Sequence, residues 1–155
     1  MRKPEFLSFE AAAASLLPGL SAYTALHYQL APLLRRDACV LYISGPQCAD
    51  MMFVQLAARL GVRVVVASRD PKALDLYADS QAAKAVDLRN EHALLRTVME
   101  QTGGLGVAAV FDAYSGQDIA GPASALLTAL SGGRARREQL LPGANSKVSP
   151  SSRDW

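Results

Sequence analysis

Cysteine and histidine are scarce in this 155-residue chain: Cys39 and Cys48 are the only thiols, His27 and His92 the only imidazoles. Zinc needs four such ligands at short spacings, and a disulfide framework needs several half-cystines, so neither is expected. Two unpaired thiols suit a reducing compartment, and a cytoplasmic location is expected. Aromatic residues make up 6% of the chain, too few for a base-stacking platform. Excess charge is also missing. Sixteen basic against fourteen acidic residues leave +2, which excludes an electrostatic footprint for nucleic acid or a membrane surface. No apolar run is long enough to span a bilayer. The nearest, Ala11 to Leu26, is broken by Pro18-Gly19, and Glu5 and Glu10 spoil the basic-then-apolar order of a signal peptide.

What is present is a globular composition, with 50% apolar and 19% charged residues. The pattern of elements is more telling. Ser8 is placed to cap a helix that Pro18-Gly19 should interrupt and Ser21 should restart, reaching Tyr28. Cys39–Ile43 reads as a strand, then Ser44-Gly45-Pro46 as a turn. Asp50 opens a helix with Met52, Val54 to Leu56 and Leu60 as its apolar face and Gly61 as C-cap. Val62–Ala67 is a nearly continuous apolar strand, the type buried on both faces of a parallel sheet. Asp70-Pro71 starts another helix, with proline where its missing N–H is harmless. Lys84–Leu88 is a third strand. Glu91–Gln101 is an amphipathic helix with Leu94, Leu95, Val98 and Met99 inward, and Gly103-Gly104-Leu105-Gly106 is a turn. Val107–Phe111 is a fourth strand ending at Asp112, and Ala120–Leu130 is a further helix. This alternation predicts an α/β, Rossmann-like parallel sheet of about four strands with flanking helices. Residues 1–36 supply helices leading into it, 37–133 the sheet unit, and 134–155, rich in Ser and charge and without strand pattern, a flexible tail.

Ligands of open α/β sheets sit beyond the carboxyl ends of the strands. The first such turn, Ser44-Gly45-Pro46-Gln47-Cys48-Ala49-Asp50, does not match the glycine-rich dinucleotide fingerprint. It has one glycine, Pro46 removes a backbone donor, and Asp50 would set a carboxylate against a pyrophosphate. At the second strand end stand Ser68, Arg69 and Lys72, where a cofactor with a free ribose 2′-hydroxyl usually meets an acid. These residues suit a 2′-phosphate, hence NADP(H) over NAD(H); a solvated basic loop partly neutralised by Asp70 is the other reading. Asp112 suits a structural role, and His27 a packed or surface position. No Ser-His-Asp arrangement, Walker loop or carboxylate pair is visible, so no catalytic residue is assigned.

Several segments in order carry a resemblance: Phe9-Glu10-Ala11-Ala12-Ala13, Leu20 to Leu26, Val54-Gln55-Leu56-Ala57 with Leu60-Gly61, and Thr102 to Val107 with Phe111-Asp112-Ala113. From about Glu5 to Gly133 the chain resembles medium-chain dehydrogenases/reductases, and among them the zinc-independent, zeta-crystallin-like quinone oxidoreductases. The resemblance implies NADP(H) binding and hydride transfer to quinone or enone acceptors, without zinc, in a homodimer. It implies that Ser44, Gly45, Pro46, Gln47, Cys48, Ala49 and Asp50 match the phosphate turn, and that Ser68, Arg69 and Lys72 match the adenosine-phosphate side. The family's turn reads Ala-x-x-Gly-x-x-Gly, and here the two glycine positions are Gln47 and Asp50. Measured against the family, the catalytic domain in front and the later strands, including the usual dimer strand, have no counterpart, as in a truncated isoform or gene-model fragment. A degenerate, catalytically inactive module acting through protein contacts is the alternative expectation.

Overall fold

The computed structural model describes residues 3–32, 34–44, 50–77, 81–113 and 136–139. The expected further helix over Ala120–Leu130 lies outside them. Elements run α1 (Phe9–Thr24), a π-helical turn (Ala25–Gln29), β1 (Cys39–Ile43), α2 (Asp50–Arg59), β2 (Arg63–Ser68), α3 (Pro71–Asp75), β3 (Ala83–Asp87), α4 (Glu91–Thr102), β4 (Ala109–Asp112) and β5 (Arg136–Gln139). All pairings are parallel, in the order β3-β2-β1-β4-β5. The chain order reverses beside β1, where β2 leaves to one side and β4 to the other. That is the topological switch point, at which this fold class opens a crevice.

Each face of the sheet has its own core. Val40, Tyr42, Val64, Val66 and Phe111 meet Ala22, Ala25 and Leu26 of the first helical segment and Phe53, Val54 and Ala57 of α2. Leu41, Ile43, Val65, Ala67 and Val110 meet Leu94 and Val98 of α4. Period-two alternation along strands buried on both sides makes them apolar throughout, as expected from Val62–Ala67. On the first face three of the chain's few aromatics converge. Tyr42 stacks on Phe111 at 5.3 Å between ring centroids, and Phe53 lies 4.8 Å from Tyr42 and 5.0 Å from Phe111. Such pairs contribute beyond their buried area, about 0.5–1.5 kcal/mol each.

Backbone chemistry ends the helices where expected. The N–H of Val62 bonds the Ala57 carbonyl at 3.0 Å and that of Gly61 the Ala58 carbonyl at 3.0 Å, with Gly61 at φ +72°. This is a Schellman termination, and the left-handed residue is glycine because a Cβ is strained there. Gly103, at φ +59°, ends α4 in the same way, with Gly104 bonded to the Met99 carbonyl at 3.0 Å. At the other ends, Ser8 accepts from Ala11 N at 3.1 Å, Asp70 from Lys72 N at 3.0 Å and Asn90 from Ala93 N at 3.0 Å.

Four expectations need correction. Pro18-Gly19 does not break the first helix; α1 runs through it. Proline deletes one amide donor, and Gly19 lets α2 approach, since a Cβ there would lie 3.3 Å from Met52 Cε. The buried stripe of α2 is Phe53, Val54 and Ala57, while Leu60 is exposed, because helical spacing selects i, i+1 and i+4. On α4, Leu94, Val98 and Thr102 form the inward row, and Leu95 and Met99 are turned partly to solvent. Finally, Arg136–Gln139, expected within a tail, pairs in parallel with β4, Ala109 opposite Arg136. An edge strand is held by its backbone ladder, so its polar side chains carried no apolar signal.

Two outcomes follow. Phe111→Ala removes the ring shared by both other aromatics and should cost about 3–5 kcal/mol in urea unfolding. A loss under 1 kcal/mol would mean that the cluster is not holding α2. Cys39 is buried at the start of β1, and burial pushes its thiol up to about 11. It should therefore resist iodoacetamide at pH 8 in the folded chain and react in denaturant, as read by peptide mass spectrometry.

Candidate functional site at the carboxyl edge

The turns at the carboxyl ends of the strands are built on short side chains that bond backbone. Ser44 follows β1, is buried, and extends the ladder by donating its N–H to the Ala67 carbonyl at 2.8 Å. Gly45, Pro46, Gln47, Cys48 and Ala49, expected to match a phosphate turn, lie outside the described residues, and Asp50 is the first residue of α2. The turn therefore joins the end of the central strand to a helix start, the position from which amide groups and the helix dipole face an anion. Phe53, in the first turn of α2, seats that helix start on Tyr42 and Phe111.

Ser68 closes β2 and is buried. Its Oγ accepts the N–H of Asp70 at 3.1 Å, while the Asp70 carboxylate accepts the N–H of Lys72. The sequence reading treated Asp70 as a partial neutraliser of the basic loop. In the structure its carboxylate caps α3, and among the described residues neither Arg69 nor Lys72 forms an ion pair. Both basic side chains are exposed at the edge. With Ser68 buried, Arg69 and Lys72 are the exposed charges of this strand end.

A third group was missed in the sequence. Asp87 ends β3 as the register partner of Ser68, and the N–H of Leu88 donates to the Ser68 carbonyl at 2.9 Å. The Asp87 carboxylate accepts from Arg89 three ways: backbone N–H at 2.9 Å, Nε at 3.0 Å and Nη2 at 2.9 Å. The guanidinium and the amide hold this carboxyl below its usual range, so it is ionised through mildly acidic pH. The signal for it, an Asp two residues before an Arg, lies at the end of the expected third strand, Lys84–Leu88.

Residues 64, 66 and 68 share one face of β2, and 83, 85 and 87 the same face of β3. Ser44 continues that face from Val40 and Tyr42 on β1. Three polar side chains, Ser44, Ser68 and Asp87, thus line up across neighbouring strands at the carboxyl edge. Asp112, at the end of β4 opposite Ile43, is fully buried and belongs to the other face. His27 is exposed and lies tilted against Tyr23, 4.2 Å between ring centroids, a packed surface position as expected. Among the described residues no group of three His, Cys, Asp or Glu could hold a metal, and no helix is long and apolar enough to cross a membrane.

No protein-family model matches the chain. Mouse quinone oxidoreductase-like protein 1 is 33% identical over 119 residues, which are 73% of this chain and 33% of that protein. A mycobacterial protein solved in complex with NADPH aligns with TM-score 0.59 and 30% identity over 72% of this chain and 34% of its own. Escherichia coli quinone oxidoreductase, also complexed with NADPH, aligns with TM-score 0.62 and 26% identity over 77% and 35% of the two chains. The chain thus spans about a third of the length of each of these proteins. Sequence likeness and sheet order agree: over this stretch the chain is similar to the quinone oxidoreductases of the medium-chain dehydrogenase/reductase superfamily.

Proposed function

We propose that this chain forms the adenosine-binding part of an NADP(H) site in a protein of the zinc-independent, zeta-crystallin-like type, working in the cytoplasm. Residues 37–133 would serve as the cofactor unit, entered through the helices of residues 1–36. The observation that carries the reading is the second strand end, where Ser68 fixes the turn and Arg69 and Lys72 stand exposed without an acidic partner among the described residues. An acid at that edge would suit a ribose hydroxyl; two cations suit a 2′-phosphate. The relatives solved with NADPH support the choice. When bound, the dinucleotide supplies the hydride for reducing a quinone or enone acceptor. The chain's own residues bind and orient its adenosine half.

A second reading is favoured by Gln47 and Asp50 at the family's glycine positions. A carboxylate at the helix start opposes a pyrophosphate, and the module would then fold without binding the cofactor and act through protein contacts.

Titration of NADPH, followed by its fluorescence and by the melting temperature, separates the two. The first reading expects micromolar binding that weakens about tenfold or more in Arg69→Ala, the size of one charge-assisted phosphate contact. No shift at millimolar NADPH would sink it. Asp50→Gly removes the opposing carboxylate, and affinity should rise; unchanged affinity would show that the carboxylate does not face the pyrophosphate.

A further inference from the structure

We infer that Arg89 is a specificity residue of this edge: by clamping Asp87 it cancels a carboxylate that would otherwise add to the repulsion of a 2′-phosphate beside Ser68 and Arg69, Asp70 staying as the cap of α3 throughout. The inference rests on the reading of this edge as an NADP(H) site. Its basis is geometric. Asp87 and Ser68 are register partners on the same face of adjacent strands, about 4.8 Å apart by sheet geometry. The Leu88 to Ser68 hydrogen bond at 2.9 Å ties the two strand ends together. A phosphate held by Arg69 over Ser68 therefore sits within roughly one to two strand spacings of the Asp87 carboxyl.

The clamp is not needed for the turn. Asp87 Oδ1 already accepts the backbone N–H of Arg89 at 2.9 Å, an Asx-type closure that any residue at position 89 other than proline could complete. The guanidinium adds a bidentate pair through Nε and Nη2, at 3.0 and 2.9 Å. With the two side chains 60% and 36% exposed, that pair adds little to stability. What it changes is local charge. Unpaired, Asp87 would place a full negative charge beside the phosphate; paired, it presents a neutral unit to the two cations at the β2 end. At about 7 Å in a mostly aqueous setting, an uncompensated carboxylate weakens binding of a phosphate dianion by about three- to tenfold. It would also offer an acceptor to a ribose hydroxyl, shifting the edge toward the unphosphorylated ribose.

The test compares 2′,5′-ADP with 5′-AMP by calorimetric titration of the full chain. Taking the ratio cancels whatever the phosphate turn contributes to both. Wild type should prefer 2′,5′-ADP. Arg89→Gln should lower that preference about three- to tenfold while leaving the melting temperature nearly unchanged. Asp87→Asn combined with Arg89→Gln keeps the Asx acceptor, removes the freed charge and should restore the preference. A wild type with no preference would overturn the NADP(H) reading, and this inference with it. A wild-type preference that Arg89→Gln leaves intact would overturn the inference alone. So would a preference lost in Arg89→Gln and not regained in the double variant, since Arg89 would then be touching the phosphate itself.

Discussion

The contact among Tyr42, Phe53 and Phe111 sets the geometry at the switch point of the sheet. It joins the central strand, the strand on its far side and the first turn of α2, so it fixes the helix start relative to the switch point. A helix that begins at this place is useful only if its N-terminus holds its direction. Fully buried rings in van der Waals contact resist rotation far better than a hydrogen-bonded loop would. Phe53 and Phe111 are the most deeply buried rings among the described residues, and both are committed to seating this one helix.

Around that anchor, two acids of the carboxyl edge, Asp70 and Asp87, are already engaged. Asp70 caps α3, and Asp87 is closed by the amide and side chain of Arg89. Arg69 and Lys72 are left as the accessible charges. Net charge over the whole chain is only +2, so the basic character of this edge is a local arrangement, which a composition count does not register.

Much of this was legible in the sequence, for identifiable reasons. The strands at Cys39–Ile43 and Arg63–Ser68 stood out because parallel strands buried on both faces must be apolar throughout, and Asp70-Pro71 and Ser8 announced helix starts through capping chemistry. The sequence misled where tertiary contact overrode a local rule. Pro18-Gly19 has the signature of a break, yet it is where α1 gives α2 room at Met52. Leu95 and Met99 are apolar but lie off the row of Leu94, Val98 and Thr102. The strand at Arg136–Gln139 is held by main-chain pairing and has no side-chain signature. For the site, Ser68, Arg69 and Lys72 could be proposed from position alone, but the meeting of Asp87 with Ser68 depends on strand register, which residue types do not encode.

Gly61, Gly103, Gly104 and Gly106 all have positive φ, and all lie where the chain enters β2 or β4. Among the described residues, the turns that demand a particular backbone are thus gathered at the amino edge of the sheet. Those at the carboxyl edge described here rest on interchangeable polar caps. The two edges should consequently tolerate sequence drift very differently. Replacing a glycine at the amino edge strains the architecture itself. At the carboxyl edge, ligand-facing residues can change while the architecture stays intact, so in a lineage of such chains recognition can be lost or retuned long before foldability is.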